Sequence, residues 1–198
     1  MSDFRRRLIM CKKSESELPS GYTRLNYLES TGTQYIDTEI KPTINTKCEL
    51  GAEILSGTAF LIGYAYINDK NDYRLFLYSN VLYFDFKNYR ISQSYPSLVN
   101  NYAQFEFGNY YVKVNDSKFL SGAYVNNFTA DDNIYLFRSS PLLKVGDNYK
   151  LYYLKIYDND KIIRNFIPVL NKDEIPCLYD TVSKQPFYNQ GTGEFLYG

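Results

Sequence analysis

The chain has 198 residues, a length that fits one domain burying roughly 70% of its unfolded surface. Its 22 Lys and Arg balance 22 Asp and Glu, so no overall field recruits nucleic acid or a membrane surface, and no apolar run approaches the ~20 residues that cross a bilayer. Histidine is absent, which removes the usual general base, the Ser/His/Asp and Cys/His arrangements, and the commonest metal ligand.

The opening stretch "MSDFRRRLIMCKKSESELPSG" is charged, lacks strand alternation and ends at Pro19 and Gly21. Its apolar run "LIMC" is far short of a signal-peptide core of ~7 to 15 residues, so no secretion signal is expected. Residues 1–18 read as an arm outside a domain that spans 19–198. In the arm, Phe4 precedes Arg5, Arg6 and Arg7, and Leu8 and Ile9 follow them. Arginine suits bidentate contact with carboxylate or phosphate, and the apolar residues suit a groove in which the arm orders on binding. No aromatic beyond Phe4 interleaves the arginines, so a docking arm or a solvated tail fits better than a nucleic-acid element.

Beyond the arm, alternation with period two dominates. "KCELGAEIL" places Cys48, Leu50, Ala52 and Ile54 on one face and Lys47, Glu49, Gly51 and Glu53 on the other, the pattern of a half-buried strand. "AFLIGYAYI" (59–67) is nearly all apolar and predicts a central strand covered on both faces. Tyr73 to Tyr78 and Val81 to Lys87 form a hairpin joined at Ser79 and Asn80, and Ala103 to Phe107 with a strand ending at Val114 form another. "NIYLFRS" adds a strand, with a short helix expected in a connection such as 142–147. Two long strands then turn at Asp158, Asn159 and Asp160; strict alternation sets Leu151, Tyr153, Lys155 and Tyr157 against Tyr152, Leu154 and Ile156, and the pair is expected in mid-sheet. Three short strands complete the tail. About a dozen short strands at 8 to 12 residue spacing predict an all-β fold, a two-sheet antiparallel β-sandwich.

The chemistry available to such a sandwich is limited. The close carboxylate pair Glu49 and Glu53 lies on the polar strand face, Asp85 and Glu106 are isolated acids between aromatics, and no catalysis is expected. Cys11, Cys48 and Cys177 lie far apart without a CxxC pair, so reduced thiols are expected and no zinc site. Asp and Asn gather in "YINDKNDYR" and "TADDN", where calcium ligation and simple turn formation compete; no specific motif supports calcium, and no cofactor is assigned. Tyr64, Tyr66 and Tyr73, near Asn68, Asp69 and Asp72, offer rings and polar groups for a sugar, while cross-strand packing explains the same tyrosines equally well. The 22 tyrosines and 13 phenylalanines without a tryptophan suit strands and contact surfaces, or equally an AT-rich genome.

"LPSGYTRLNYLESTGTQYIDTEIKPT" (18–43), "KLYYLKIYDNDKIIRNFIPVLN" (150–171) and "CLYDTVSKQPFYNQGTGEFLYG" (177–198) resemble the first and last strands of concanavalin A-like, laminin-G-like jelly-roll domains of gut bacteriophages and gut bacteria. "MSDFRRRLIM" is similar to the opening of virion proteins of crAss-like phages. The resemblance implies binding or display in place of catalysis: a virion fibre or decoration protein, assembled in the bacterial cytoplasm and exposed on the virion surface. Its arm would dock on a capsid or tail protein, its sandwich would meet host glycans, and it would form a dimer or trimer. A lectin module of a bacterial or prophage surface protein is the alternative. The resemblance also implies that a strand at Tyr35 to Ile40, entered by a turn at Ser30 to Thr33, pairs with the long strands at 150–170. "YNQGTGEF" would be the matching closure at the other end.

Overall fold

A computed structural model describes residues 18–65, 71–109, 111–120, 126–138 and 148–198. The arm residues Phe4, Arg5, Arg6, Arg7, Leu8 and Ile9 and the expected helix at 142–147 lie outside the described residues. In chain order the strands are β1 (Thr23–Arg24), β2 (Leu28–Glu29), β3 (Ile36–Asp37), β4 (Thr46–Ile54), β5 (Ala59–Tyr64), β6 (Asp72–Tyr78), β7 (Val81–Lys87) and β8 (Tyr89–Ser94). They continue with β9 (Tyr102–Gly108), β10 (Tyr111–Val114), β11 (Ser117–Leu120), β12 (Tyr135–Leu136), β13 (Tyr149–Asp158), β14 (Lys161–Leu170), β15 (Pro176–Asp180), β16 (Gln185–Phe187) and β17 (Leu196–Tyr197).

The hairpin turns form where the local chemistry favours them. Ser79 and Asn80 both take positive φ (50° and 63°) between β6 and β7, and Asn159 and Asp160 do the same (48° and 60°) between β13 and β14. Two successive left-handed residues make the tight turn whose twist matches the flanking strands.

All strand pairs are antiparallel, and they build two sheets. The larger runs β11-β10-β9-β4-β13-β14-β15-β16, which places the β13–β14 hairpin in mid-sheet as expected; the smaller runs β3-β12-β5-β6-β7-β8 and has β5 well inside it. The core lies between them. Tyr73 of β6 and Phe84 of β7 meet Phe107 of β9 at centroid distances of 5.8 and 5.1 Å, joining one sheet to the other. Tyr149 of β13 stacks on Phe137 at 4.4 Å, and its hydroxyl donates to the Leu61 carbonyl of β5. The result is the two-sheet antiparallel β-sandwich that the alternation predicts.

Two expectations are corrected. The strand from Tyr35 shortens to Ile36–Asp37 and pairs with β12 in the small sheet. The long strands are reached instead by β1, which pairs with β14, and by β2, which pairs with β13. β13 and β14 run together only from their turn to Leu154 and Phe166, then diverge; β1, β2 and β17 fill the opening. Leu25 N–H donates to the Pro168 carbonyl (3.0 Å) and Ser30 N–H to the Tyr149 carbonyl (3.3 Å), so the diverging backbones keep partners.

The second correction concerns β13 itself. Against β4 its register slips between Leu151 and Tyr153, a β-bulge in which Tyr152 is the extra residue. The bulge keeps Tyr149, Leu151, Leu154 and Ile156 all in the core and turns Tyr152 and Tyr153 both outward, which strict alternation cannot do.

"STGTQY" and "YNQGTGEF" close on each other. Gln190 N–H donates to the Tyr35 carbonyl (2.9 Å), Thr192 N–H to the Thr33 carbonyl (3.2 Å), and Tyr35 N–H to Asn189 Oδ1 (3.1 Å). Buried Gln34 accepts from Ser30 Oγ (3.0 Å) and donates to the Glu194 carbonyl (3.0 Å). Gly191 allows this approach: a Cβ there would stand 1.9 Å from the Thr33 carbonyl oxygen.

The turn from β15 to β16 depends on one buried acid. Asp180 is fully buried and accepts from the backbone N–H of Asn165 (2.7 Å), Val182 (3.1 Å) and Ser183 (3.1 Å), with the Arg164 guanidinium at 3.7 Å. Replacing it by alanine orphans those donors and leaves Arg164 without this counter-charge, so Asp180→Ala is expected to cost about 3 kcal/mol. A urea melt should show a lower midpoint with an unchanged slope; an unchanged midpoint would show that the donors find other acceptors.

Candidate functional site

Of the residues expected to hold a sugar, Tyr64 and Tyr73 face the core. Tyr73 is fully buried between the sheets against Phe84, Phe86 and Phe107, and burial pushes its hydroxyl pKa well up. Tyr64, its cross-strand partner, also belongs to the core. Both belong to the packing reading, and neither ring is available to stack on a ligand. Asp72 lies at the start of β6 with Arg74 at 3.4 Å. Tyr66, Asn68 and Asp69 lie outside the described residues.

A cluster of tyrosines lies instead on the outer face of the large sheet, where Tyr102 is exposed and Tyr152, Tyr153 and Tyr157 are half-buried. β4 contributes Lys47, Glu49, Gly51 and Glu53; β9 contributes Tyr102, Gln104 and Glu106; β13 contributes Lys150, Tyr152, Tyr153, Lys155 and Tyr157. Gly51 sits in the middle of this face. A Cβ at residue 51 would stand 2.7 Å from Tyr153 Cε1 and 2.8 Å from the Tyr102 hydroxyl, so the missing side chain lets both tyrosines settle over the strand. Tyr102 packs edge-on against Tyr152 (5.0 Å), Tyr152 packs against Tyr27 (5.8 Å), and 45% of Tyr102 is exposed.

The polar groups of the face are locked to one another. Tyr152 donates its hydroxyl to Glu53 (3.0 Å), Tyr157 to Glu49 (3.1 Å) and Tyr111 to Glu106 (2.7 Å). Lys150 pairs with Glu53 (3.2 Å) and Lys155 with Glu49 (3.3 Å), while Lys47 lies 3.5 Å from Asp160. Lys47 also lies over the Tyr157 ring at 4.4 Å and Lys150 over the Tyr27 ring at 5.1 Å. The carboxylate pair Glu49 and Glu53 is therefore engaged in structural ion pairs and phenol hydrogen bonds, as expected for a solvated strand face.

The opposite outer face, on the small sheet, is built differently. Asp85 is held by Arg74 Nε (2.8 Å) and by Arg90 Nε and Nη2 (2.6 and 2.8 Å), above the stacked rings of Phe60, Phe76 and Tyr83. Arg90 Cζ stands 5.0 Å over the Tyr83 ring. This cluster closes on itself around a buried carboxylate.

Sequence reading missed the tyrosine face because a strand shows two faces and does not label them. The signal was the doublet Tyr152–Tyr153, which breaks the alternation of β13. Among the described residues no group of three metal-ligating side chains gathers. Burial pushes the Cys48 and Cys177 thiols up to about 12, which keeps both protonated and unreactive at neutral pH.

Burial raises the Tyr152 and Tyr157 hydroxyls to about 12, helped by their hydrogen bonds to Glu53 and Glu49, and raises Tyr153 to about 12 with help from neighbouring Tyr102. A hydroxyl that ionises near 10 in the unfolded chain and near 12 in the folded one stabilises the fold below pH 10 and loses that contribution as pH rises toward 12. Stability is thus expected to be flat on this account up to about pH 9 and to fall between 10 and 12, with phenolate absorbance appearing late. A normal tyrosine titration in the intact fold would refute the locked hydroxyls.

No family model matches the chain, and no curated protein matches it. Among solved structures, the chain is similar to the mouse laminin alpha1 chain, domains LG4-5, at 13% identity and a TM-score of 0.47, over 75% of this chain and 46% of that one.

Proposed function

We propose that the protein is a non-catalytic binding and display module that meets glycans through the outer tyrosine face of its large sheet. The observation that carries this reading is the half-exposed Tyr102 ring, packed edge-on against Tyr152 and set beside Tyr153 over Gly51. An aromatic ring held rigidly at the surface offers apolar area to the C–H face of a sugar at little entropic cost. The engaged state of Glu49 and Glu53 supports a binding role over a hydrolytic one, because neither acid is free to serve as proton donor or nucleophile.

The setting we infer is the bacteriophage virion, as a fibre or decoration protein anchored by the arm containing Phe4 to Ile9, with host surface glycans as the ligand. The similarity of the opening residues to virion proteins supports it. A lectin module of a bacterial surface protein is the alternative setting, and the same face would serve there.

Both parts are testable. The chain should adsorb to polysaccharide extracted from host envelopes; Tyr102→Ala should abolish adsorption, and Tyr78→Ala, an exposed tyrosine beside the β6–β7 turn, should not. Equal adsorption of both variants would sink the tyrosine face. Deleting residues 2–13 should leave the sandwich folded and remove the protein from particles; unchanged incorporation would overturn the anchoring arm.

A further inference from the structure

Building on the glycan-binding reading, we infer that the tyrosine face selects neutral sugars and that Gly51 is the centre of its principal subsite. Glu49 and Glu53 stand two residues to either side of Gly51 on the same face of β4, about 7 Å away in each direction. Tyr102 and Tyr153 close over the glycine between them. The result is an aromatic floor about 14 Å long with a carboxylate at each end, a length that suits two or three linked pyranose rings, one of them with its C–H face on Tyr102 near the Glu53 end.

The charges decide the ligand class. Each carboxylate already accepts a phenol hydrogen bond and a lysine: Tyr152 and Lys150 on Glu53, Tyr157 and Lys155 on Glu49. A carboxylate oxygen has about two lone-pair sites, so these acids keep acceptor capacity for the hydroxyls of a sugar. A uronate or sialate in the same place would put a third negative charge between Glu49 and Glu53, whose paired lysines, Lys150 and Lys155, are already bound to those acids. Gln104, whose amide donates to the Tyr102 hydroxyl (3.3 Å), adds an uncharged polar group at the rim. Hydroxyls, which both donate and accept, match this arrangement; anions do not.

The test is an oligosaccharide array of neutral hexose chains and of uronate and sialylated chains, probed with the full chain, followed by calorimetric titration of the best binder. Neutral chains are expected among the hits, with affinity changing less than about twofold between low and high salt because no net charge is neutralised. Tyr102→Ala and Glu53→Gln are each expected to weaken binding about tenfold or more, the cost of a lost stacking surface or a lost charge-assisted hydrogen bond. Near-UV circular dichroism confirms that each variant is folded, and Gln104→Ala, a smaller change on the same rim, should weaken binding too. Hits confined to acidic chains, with strong salt dependence, would overturn the neutral subsite and leave glycan binding standing. Neutral hits unaffected by Tyr102→Ala and Glu53→Gln would overturn this location. Absence of any hit with folded protein would overturn the glycan reading together with the subsite.

Discussion

The extra residue in β13 is the constraint on which the rest of the large sheet depends. A β-bulge leaves one residue unpaired and increases the local twist of its strand. At Tyr152 that residue reverses the phase of the side chains, so apolar residues before and after it face the same core. On the other side it sets two tyrosines next to each other, Tyr153 opposite Gly51 and Tyr152 with its hydroxyl on Glu53. β13 is paired with β14 from their turn back to Leu154 and parts from it next to the bulge, and the opened backbone groups need partners. β1 pairs with β14 and β2 with β13 there, and β17 pairs with β2 in turn, so the bulge lies beside the place where three short strands join the sheet.

Much of the architecture was legible because its signals are local. Ser79–Asn80 and Asn159–Asp160 announce tight turns through residues that tolerate positive φ, and β4 displays its two faces in plain alternation. The pairing of "STGTQY" was not legible. Strand partners are set by closure of the whole chain, and a two-residue strand such as Ile36–Asp37 carries too little pattern to name its sheet. The burial of Tyr64 and Tyr73 was not legible for a related reason. Tyr73 and Tyr102 are the same residue in similar strands, yet one fills the core and the other faces water; only the second sheet decides which. The arm falls outside what the structure describes.

The two outer faces solve the problem of surface charge differently. On the small sheet two arginines converge on Asp85 and lie over aromatic rings, which spends their hydrogen-bonding capacity inward. On the large sheet the ion pairs run between neighbouring strands, Lys150 to Glu53 and Lys155 to Glu49, and tie β13 to β4 at the edge of the tyrosine patch. Exposed ion pairs add little to stability on their own. Their larger effect is to hold long side chains in place, so that the face presents one arrangement instead of many.

The weaving of β2 between β13 and β17 also orders events in time. β2 lies at residues 28–29 and its partner β17 at 196–197, so the contact joins segments from opposite parts of the chain. On a ribosome the hairpins β6–β7 and β9–β10 can form as they emerge, but the seam in the middle of the large sheet stays open until the last of these strands has been made. Topologies with such distant pairings fold slowly. A nascent chain of this design therefore carries an unsealed sheet through most of its synthesis, and its tyrosine-rich strands depend on rapid closure, or on a chaperone, to escape pairing with a neighbour.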